Sequence, residues 1–300
     1  MLKIAYSPVY IYPLPEGHRF PMIKYELLPE QLVREGTVSE DNFFCPEPLD
    51  DSEILSTHTV EYLNKLNNLT LSPKEIRNIG FPVRTELVNR GKIIASGTYQ
   101  CALYALKYGL SMNIAGGTHH SFADRGEGFC LFNDVALATR LLIKNHNIHK
   151  ILIVDLDVHQ GNGTAKIFEN TPEVFTFSMH GEKNYPTRKE KSNLDIGLPD
   201  KTEGDVYLSV LYENLHKLLH DFCPEIVFYN AGVDILETDK LGRLSVSKKD
   251  TLYRDEMVFR LMKTNKIPVV AVMGGGYSEK LSDILDAHAN TYRSAQAVYF

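Results

Sequence analysis

The sequence has few of the features that mark nucleic-acid-binding, membrane-spanning or secreted proteins. Its 32 Lys and Arg residues are outnumbered by 38 Asp and Glu residues, a net charge of −6 at pH 7, so no global positive field exists to hold a phosphate backbone. The apolar runs are short, such as Val269 to Met273, whereas a membrane-spanning helix needs about 20 residues. The N-terminus lacks the basic segment and apolar stretch of a secretion signal. We therefore expect no direct nucleic-acid contact, no membrane span and no secretion.

Two common site patterns are also missing. The four cysteines are widely spaced and form no C-x-x-C pair, which fits neither a disulfide framework nor a thiolate zinc site. The G-x-G fragments at Gly126 to Gly128 and Gly161 to Gly163 do not complete a G-x-G-x-x-G motif after a strand, so a dinucleotide site is disfavoured. The sparse cysteines predict a reducing, cytoplasmic location.

What the sequence does have is a succession of apolar runs separated by helical patterns. No repeat, low-complexity tract or linker interrupts it, which favours a single domain over residues 1–300. Buried parallel strands are predicted at Met112 to Ala115, Ile151 to Val154, Val174 to Phe177, Ile226 to Tyr229 and Val269 to Met273. Helices are predicted at Tyr25 to Glu35, Thr59 to Leu66, Asn133 to Lys144, Asp205 to Phe222 and Lys249 to Thr264. This alternation predicts an α/β fold with a parallel sheet covered by helices on both faces.

Four of the five predicted strands run into polar or glycine-rich motifs. These are GGTHH at Gly116 to His120, DLDVHQGNG at Asp155 to Gly163, NAGVD at Asn230 to Asp234 and GGGY at Gly274 to Tyr277. Ligands of open parallel sheets bind outside the carboxyl ends of the strands. We therefore expect the four motifs to meet at one edge of the sheet.

Three polar side chains at the end of one predicted strand indicate a cation site. Asp155, Asp157 and His159 are spaced i, i+2, i+4, so an extended backbone would point all three the same way. Two buried carboxylates are costly without a compensating cation. Asp157 and His159 together with Asp234 would form a site that suits Zn²⁺ with an open position for water and also admits Mn²⁺ or Fe²⁺. The alternative is that these residues cap the next helix or face solvent.

The adjacent His119 and His120 and the tyrosine of the GGGY motif offer groups for proton transfer. The pKa of imidazole suits it to take a proton from a metal-activated water and to give one to a leaving amine. Tyr277 follows three glycines and could donate a hydrogen bond to a developing oxyanion. Packed core histidines and a flexible strand-to-helix turn are the structural alternatives.

Five motifs in this order resemble the zinc-dependent histone deacetylase family of the arginase/deacetylase superfamily. Besides GGTHH, DLDVHQGNGT and GGGY, they include RGEGFCLFND at Arg125 to Asp134 and YNAGVDI at Tyr229 to Ile235. The Q-G-N-G sequence after His159 and the stretch from Asn230 to Ser247 resemble the class IV branch and its bacterial relatives. The resemblance implies the three-layer, single-domain arginase/deacetylase fold with a central eight-stranded parallel sheet.

The resemblance also implies a set of bound cations. Zn²⁺ would be held by Asp157, His159 and Asp234. A structural monovalent cation, K⁺, would be held by main-chain oxygens at Asp155, Asp157, His159, Ser178 and Met179. A second monovalent cation would involve Phe168, Thr171 and Val174.

Catalytic roles follow from the same resemblance. His120 would be the main general base and then acid, with His119 as its electrostatic partner and Tyr277 as the oxyanion donor. Asp155 would orient His119, and Asn162 would orient His120 from a position where most of the family has an Asp. A neutral amide can fix the tautomer of His120 without raising its pKa as a carboxylate would. This exchange predicts a neutral His120 near pH 7.

The implied substrate tunnel departs from the family at two points. Phe129, preceded by Gly128, would form one wall of a tunnel for the lysine methylenes, and Tyr185 would form the second. The acidic rim residue that commonly grips the substrate backbone has no evident match between Arg77 and Glu86. Lys24 stands where many relatives have an Arg lining an inner channel.

The expected function is hydrolysis of an N-acyl-lysine amide or a related acylated amine by a cytoplasmic zinc enzyme. The class IV resemblance favours long-chain fatty acyl groups over acetyl as the group that is removed. The alternatives are an acetylpolyamine or small-metabolite amidohydrolase, a binuclear manganese ureohydrolase and a non-catalytic acyl-lysine binder. The ureohydrolase is disfavoured because Gln160 and Asn162 occupy positions where further carboxylate ligands would be wanted.

Overall fold

Eight parallel strands form one sheet through the centre of the structure, which is a computed structural model that describes residues 1–300. The strands are β1 (Lys3–Ala5), β2 (Phe43–Phe44), β3 (Leu110–Asn113), β4 (Ile151–Asp155), β5 (Val174–Gly181), β6 (Leu194–Leu198), β7 (Ile226–Asn230) and β8 (Val269–Val272). Their order across the sheet is β2-β1-β3-β8-β7-β4-β5-β6. Every neighbouring pair is parallel. The predicted α/β fold with a central eight-stranded parallel sheet is confirmed.

Ten α-helices connect and cover the strands. They are α1 (Lys24–Arg34), α2 (Asp51–Ile54), α3 (Val60–Asn67), α4 (Pro73–Ile79), α5 (Thr85–Tyr108), α6 (Asp134–His146), α7 (Asn162–Phe168), α8 (Gly204–Phe222), α9 (Lys248–Thr264) and α10 (Leu281–Tyr299). None of them combines the length and the apolar character that crossing a membrane requires.

The core lies on both faces of the sheet because strand side chains alternate in direction. Leu152 and Val154 of β4 belong to a large apolar cluster with residues of α8, α9 and α10. Ile151 and Ile153 of the same strand belong to a second cluster with residues of α6. Burial on both faces explains why the central strands read as continuous Val- and Ile-rich runs.

The structure shifts one predicted strand and turns the chain directly after another. β3 begins at Leu110, two residues before the predicted start, because Gly109 ends α5 in a left-handed conformation with φ 88°. β4 ends at Asp155, one residue after the predicted end, so Asp157 and His159 lie beyond the strand and the alternation of an extended backbone does not reach them. There the backbone amides of Asp157 and His159 donate to the carboxylates of Asp155 and Asp157, at 3.2 and 3.0 Å. These local hydrogen bonds replace the strand ladder and turn the chain.

Candidate active site

The four polar motifs meet at one edge of the sheet. β3, β8, β7 and β4 are consecutive neighbours, so the loops that follow them leave from a common carboxyl edge. The loops are cross-linked, since the amide of Gly274 donates to the carbonyl of Gly116 at 3.3 Å and that of Val233 donates to Gly275 at 2.9 Å. The predicted convergence of the motifs is therefore observed.

Asp157, His159 and Asp234 form a buried cluster with the geometry of a metal site. Their ligand atoms lie within 4.8 Å of one another. Nδ1 of His159 is 3.0 Å from Oδ1 of Asp157 and 3.1 Å from Oδ2 of Asp234. The other oxygen of each carboxylate accepts a hydrogen bond from a backbone amide. Oδ2 of Asp157 accepts from Gly275 at 2.8 Å, and Oδ1 of Asp234 accepts from Val158 at 2.9 Å. Each carboxylate is thereby oriented with one oxygen toward a shared point.

A glycine is required where the GGGY loop passes this cluster. A Cβ on Gly275 would lie 2.2 Å from Oδ2 of Asp234 and 2.8 Å from Oδ2 of Asp157. Both distances are too short for any side chain, so the triple-glycine motif serves close backbone approach to the carboxylates.

The electrostatics of the cluster favour a bound cation. Burial and the neighbouring Asp157 raise the pKa of Asp234 above its usual range. Burial lowers the pKa of His159, but hydrogen bonds and charge from the two aspartates outweigh it and raise that pKa to about 10. The two aspartates thus stabilise the protonated, positively charged form of His159. A bound metal cation would replace that proton. Two carboxylates and one imidazole fit Zn²⁺.

The two histidines of the GGTHH motif lie next to each other and have different partners. Nδ1 of His119 is 2.6 Å from Oδ2 of Asp155, and Nδ1 of His120 is 2.6 Å from Oδ1 of Asn162. An amide oxygen can only accept, so Nδ1 of His120 carries the proton and Nε2 presents a lone pair. Asp155 is itself held by the Nδ2 of Asn230 at 2.9 Å. The sequence analysis expected the pairings of His119 with Asp155 and of His120 with Asn162, but not the contact of Asn230.

The different partners separate the pKa values of the two histidines. Burial lowers the pKa of His119, but the charges of Asp155 and Asp157 raise it to about 9. Burial and the charges of His119 and His159 hold the pKa of His120 well below its usual range. His120 is therefore the neutral member of the pair, which a general base must be.

Aromatic side chains surround the entrance to these groups. The Phe129 ring lies 6.0 Å from that of Tyr277, and the Tyr185 ring stands perpendicular to His120 at 4.9 Å. Gly128, at φ 54°, passes so close to His120 that a Cβ would be 2.6 Å from its Cδ2. The backbone of Tyr277 is fixed by donation to Asp239 at 2.6 Å.

Two cavities border these aromatic residues, and we call the larger one the outer cavity and the smaller one the inner cavity. The outer one has a volume of about 510 Å³ and is lined by His120, Phe129, His159, Tyr185 and Tyr277 among others. The inner one has a volume of about 50 Å³ and shares His120, His159 and Tyr277 with the outer one. His120, Tyr277 and one member of the Asp157, His159 and Asp234 cluster therefore border both spaces.

Comparison with known proteins identifies the family. The model of the histone deacetylase domain matches residues 18–292. The chain belongs to the histone deacetylase family. It is 42% identical to an uncharacterized protein of Picosynechococcus over 99% of both chains. It is 33% identical to histone deacetylase 2 of Arabidopsis thaliana, over 89% of this chain and 72% of that one.

Solved structures agree with this membership. The crystal structure of a histone deacetylase homologue complexed with SAHA is similar to 99% of this chain and 83% of the other, with a TM-score of 0.83 and 25% identity. The expected family and fold are thus confirmed, and the protein is a deacetylase hydrolase. The acetoin utilization protein AcuC of Staphylococcus xylosus is a further relative, 25% identical over 87% of this chain and 74% of the other.

The monovalent-cation residues of this deacetylase stay predictions. Asp155 and Ser178 face each other across β4 and β5, beside the metal cluster. Phe168 and Thr171, proposed for the second cation, accept backbone hydrogen bonds from Thr171 and Val174 at 3.0 and 3.1 Å. Their carbonyls keep a second lone pair each.

Sequence reasoning missed the buried residues that bind the backbone of the loops forming the site. Arg254 and Asp255 of α9 are fully buried and paired at 2.8 Å, and Arg254 donates to the carbonyl of Gly232 at 2.5 Å. Gly232 packs against Asp157, where a Cβ would lie 2.5 Å from Oδ2. Asp134 accepts from the amides of Gly117 and Thr118 at 3.2 and 2.8 Å and so holds the GGTHH loop. Asp134 is the last residue of the RGEGFCLFND motif and could have been selected from the sequence on that ground. Nothing in the sequence pattern of α9 distinguished Arg254.

Proposed function

We propose that this deacetylase is a zinc-dependent enzyme of the class IV branch that removes an acetyl group from a lysine side-chain amide or a related acylated amine. The observation that carries the proposal is that His120, Tyr277 and His159 of the Asp157, His159 and Asp234 cluster line the same two cavities. A cytoplasmic location, and K⁺ as a structural ion, belong to the proposal as predictions.

Asp157, His159 and Asp234 would hold the zinc ion. A bound Zn²⁺ supplies Lewis-acid polarisation of the acyl carbonyl and lowers the pKa of a neighbouring water. His120 accepts the proton of the attacking water at Nε2, since Asn162 keeps the proton of the ring on Nδ1. It then gives that proton to the leaving amine.

Tyr277 is suited to stabilise the negative oxygen that develops during attack. Burial and the charges of Asp157 and Asp234 hold the pKa of Tyr277 well above its usual range, so the hydroxyl stays protonated and can donate a hydrogen bond. Phe129 and Tyr185 would enclose the lysine methylenes at the entrance and exclude water from the reacting bond.

The inner cavity supports acetyl over a long acyl chain. Its volume of about 50 Å³ compares with about 10–15 Å³ for a single water measured in the same way. Such a space holds about three to five water-sized groups, which accommodates the methyl of an acetyl group but not a long acyl chain. A long chain would require the bordering Phe20 and Phe81 to move.

The proposal is tested on one lysine peptide carrying acetyl, octanoyl or myristoyl groups, with protein of known zinc content. We expect acetyl to be removed most rapidly. Preference for the long chains would contradict the acetyl assignment, and absence of turnover on all three by zinc-loaded protein would contradict the lysine deacylase itself. N-acetylspermidine as a fourth substrate tests the polyamine alternative.

Exchanging Asn162 for Asp is expected to retain activity and to move the acid limb of the pH profile upward. The amide leaves the pKa of His120 low, whereas a carboxylate would stabilise the charged imidazole and raise that pKa. Because the base must be neutral, activity would then be lost at a higher pH as the solution is acidified. The measurement is kcat/KM against pH for both proteins, and superimposable profiles would refute the role given to Asn162.

A further inference from the structure

The mouth of the outer cavity carries positive charge although the protein as a whole has a net charge of −6. Three cationic side chains line it, Arg19, Lys183 and Arg243. The guanidinium of Arg19 lies 4.9 Å from the centre of the Phe129 ring, which places it at the tunnel wall. The segment after β5, from Glu182 to Ser192, adds to this character with four basic and two acidic residues.

The acidic groups near the mouth are already engaged. Glu127 is the one carboxylate that lines the cavity, and both of its oxygens are occupied. Oε1 accepts from Nε of Arg125 at 2.8 Å and Oε2 accepts from the hydroxyl of Tyr185 at 2.8 Å. Arg125 is shared with Asp124, whose Oδ1 lies 3.0 Å from Nη1 of Arg125. Both oxygens of Glu127 nevertheless have a donor, so the cavity lining offers no uncommitted carboxylate to a basic substrate.

The three cations are not fully neutralised by their neighbours. Asp200 is shared, since its Oδ2 lies 3.3 Å from Arg243 and 3.9 Å from Lys183. Arg19 forms no ion pair, as its contact is with the Phe129 ring. Counting Asp200 against these three cations, and Glu127 with Asp124 against Arg125, leaves an excess of one positive charge at the entrance. Such a patch attracts anionic groups and repels cationic ones.

We infer that this deacetylase selects acylated amines that carry a carboxylate close to the acyl-lysine, and discriminates against polybasic substrates. The inference rests on the proposed function and names the substrate class of that site. The carboxylate can belong to an Asp or Glu that flanks the acetyl-lysine in a protein, or to the free α-carboxylate of an acetylated amino acid. Either would face Arg19, Lys183 and Arg243 once the acyl-lysine is in the tunnel.

The test compares three acetyl-lysine peptides that differ only in their flanking residues, which are Asp and Glu, Gln and Ser, or Lys and Arg. We expect kcat/KM to be about tenfold higher for the acidic than for the basic peptide at low ionic strength, as several exposed charge pairs act together. In 1 M salt, where the Debye length is about 3 Å, the ratio should approach one. Free Nε-acetyl-lysine and its C-terminal amide, assayed together, separate the two sources of carboxylate.

Charge variants assign the effect to the mouth. In the Arg19→Gln/Arg243→Gln double variant the acidic-to-basic ratio should fall to about twofold or less, because exposed pairs of this kind are individually weak. Lys150→Gln is the matched control, since Lys150 is exposed and precedes β4 at the opposite edge of the sheet. A ratio that is equal to one, or that favours the basic peptide, would overturn the inference, and so would a ratio unchanged in the double variant.

Binding separates failure of this inference from failure of the proposed function. The dissociation constants of the same three peptides, fluorescently labelled, are measured by anisotropy in parallel. Tighter binding of the acidic peptide without turnover of any peptide would support the charge selection and contradict the deacylase. Turnover of the three peptides with no preference among them would support the deacylase and contradict the charge selection.

Discussion

Replacing Asp157 by alanine is expected to abolish both zinc binding and hydrolysis. Asp157 supplies one of only two carboxylates in the cluster, and it is fully oriented by Gly275. Loss of one of three protein ligands leaves His159 and Asp234, which do not complete the three-ligand set of a catalytic zinc site. Zinc per protein should fall from about one to near zero, and turnover should fall to background.

Thermal unfolding gives a readout for this change that does not depend on activity. An ion that binds only the folded protein stabilises it by about 4 kcal/mol at a thousandfold excess over Kd. The wild-type protein should therefore melt several degrees higher with zinc than with a chelator, and the variant should show no such difference. Asp157→Asn keeps the side-chain volume and guards against simple misfolding. Asp221→Ala, at an exposed carboxylate on the end of α8, is the control. A zinc-dependent shift that persists in both Asp157 variants would contradict the metal assignment.

Removing the imidazole of His120 is expected to lower kcat by about 10²–10⁴-fold, the usual contribution of a general acid–base group. The Tyr277→Phe change should lower it by about 10²–10³-fold, the usual loss of one oxyanion donor. Neither side chain is a zinc ligand, so zinc content should stay at the wild-type value. A lowered kcat with unchanged zinc content would distinguish His120 and Tyr277 from Asp157, whose replacement is expected to remove the zinc as well.

The controls for this pair are chosen by residue type. His216→Ala and Tyr253→Phe change an exposed histidine of α8 and an exposed tyrosine of α9 and should leave kcat unchanged. Steady-state kinetics on the acetyl peptide measure all four proteins. Retention of kcat within tenfold of wild type by His120→Ala would rule out His120 as the main base.

The central strands and the metal cluster could be predicted because their signals are local. β4 and β7 are short Val- and Ile-rich runs, each followed at once by polar residues, and a strand buried on both faces leaves that pattern in the sequence. The parallel arrangement places the ends of β4 and β7 at the same edge, and their pairing in the folded sheet brings them together. Asp157, His159 and Asp234 were identified on that basis and form the cluster found here.

The longest helix escaped prediction for a physical reason. α5 spans 24 residues and is buried on several sides, with Ala95, Ser96, Gly97 and Thr98 all inside the protein. A helix without a broad polar face lacks the periodic pattern that reveals an amphipathic one. A Cβ on Gly97 would lie 2.6 Å from the hydroxyl of Tyr10, so tight packing accounts for this glycine within the helix.

The sequence by itself determined which residue types stand after which strands, and through the resemblance of its motifs it determined the family. Only the tertiary structure decided which carboxylate oxygen faces the metal site, because that depends on backbone amides of Val158 and Gly275 from distant parts of the chain. The tertiary structure also placed the buried Arg254 against the site. It gathered Arg19, Lys183 and Arg243 into a positively charged entrance to the outer cavity. Charges so far apart in sequence sum to a local field only after folding places them around one cavity.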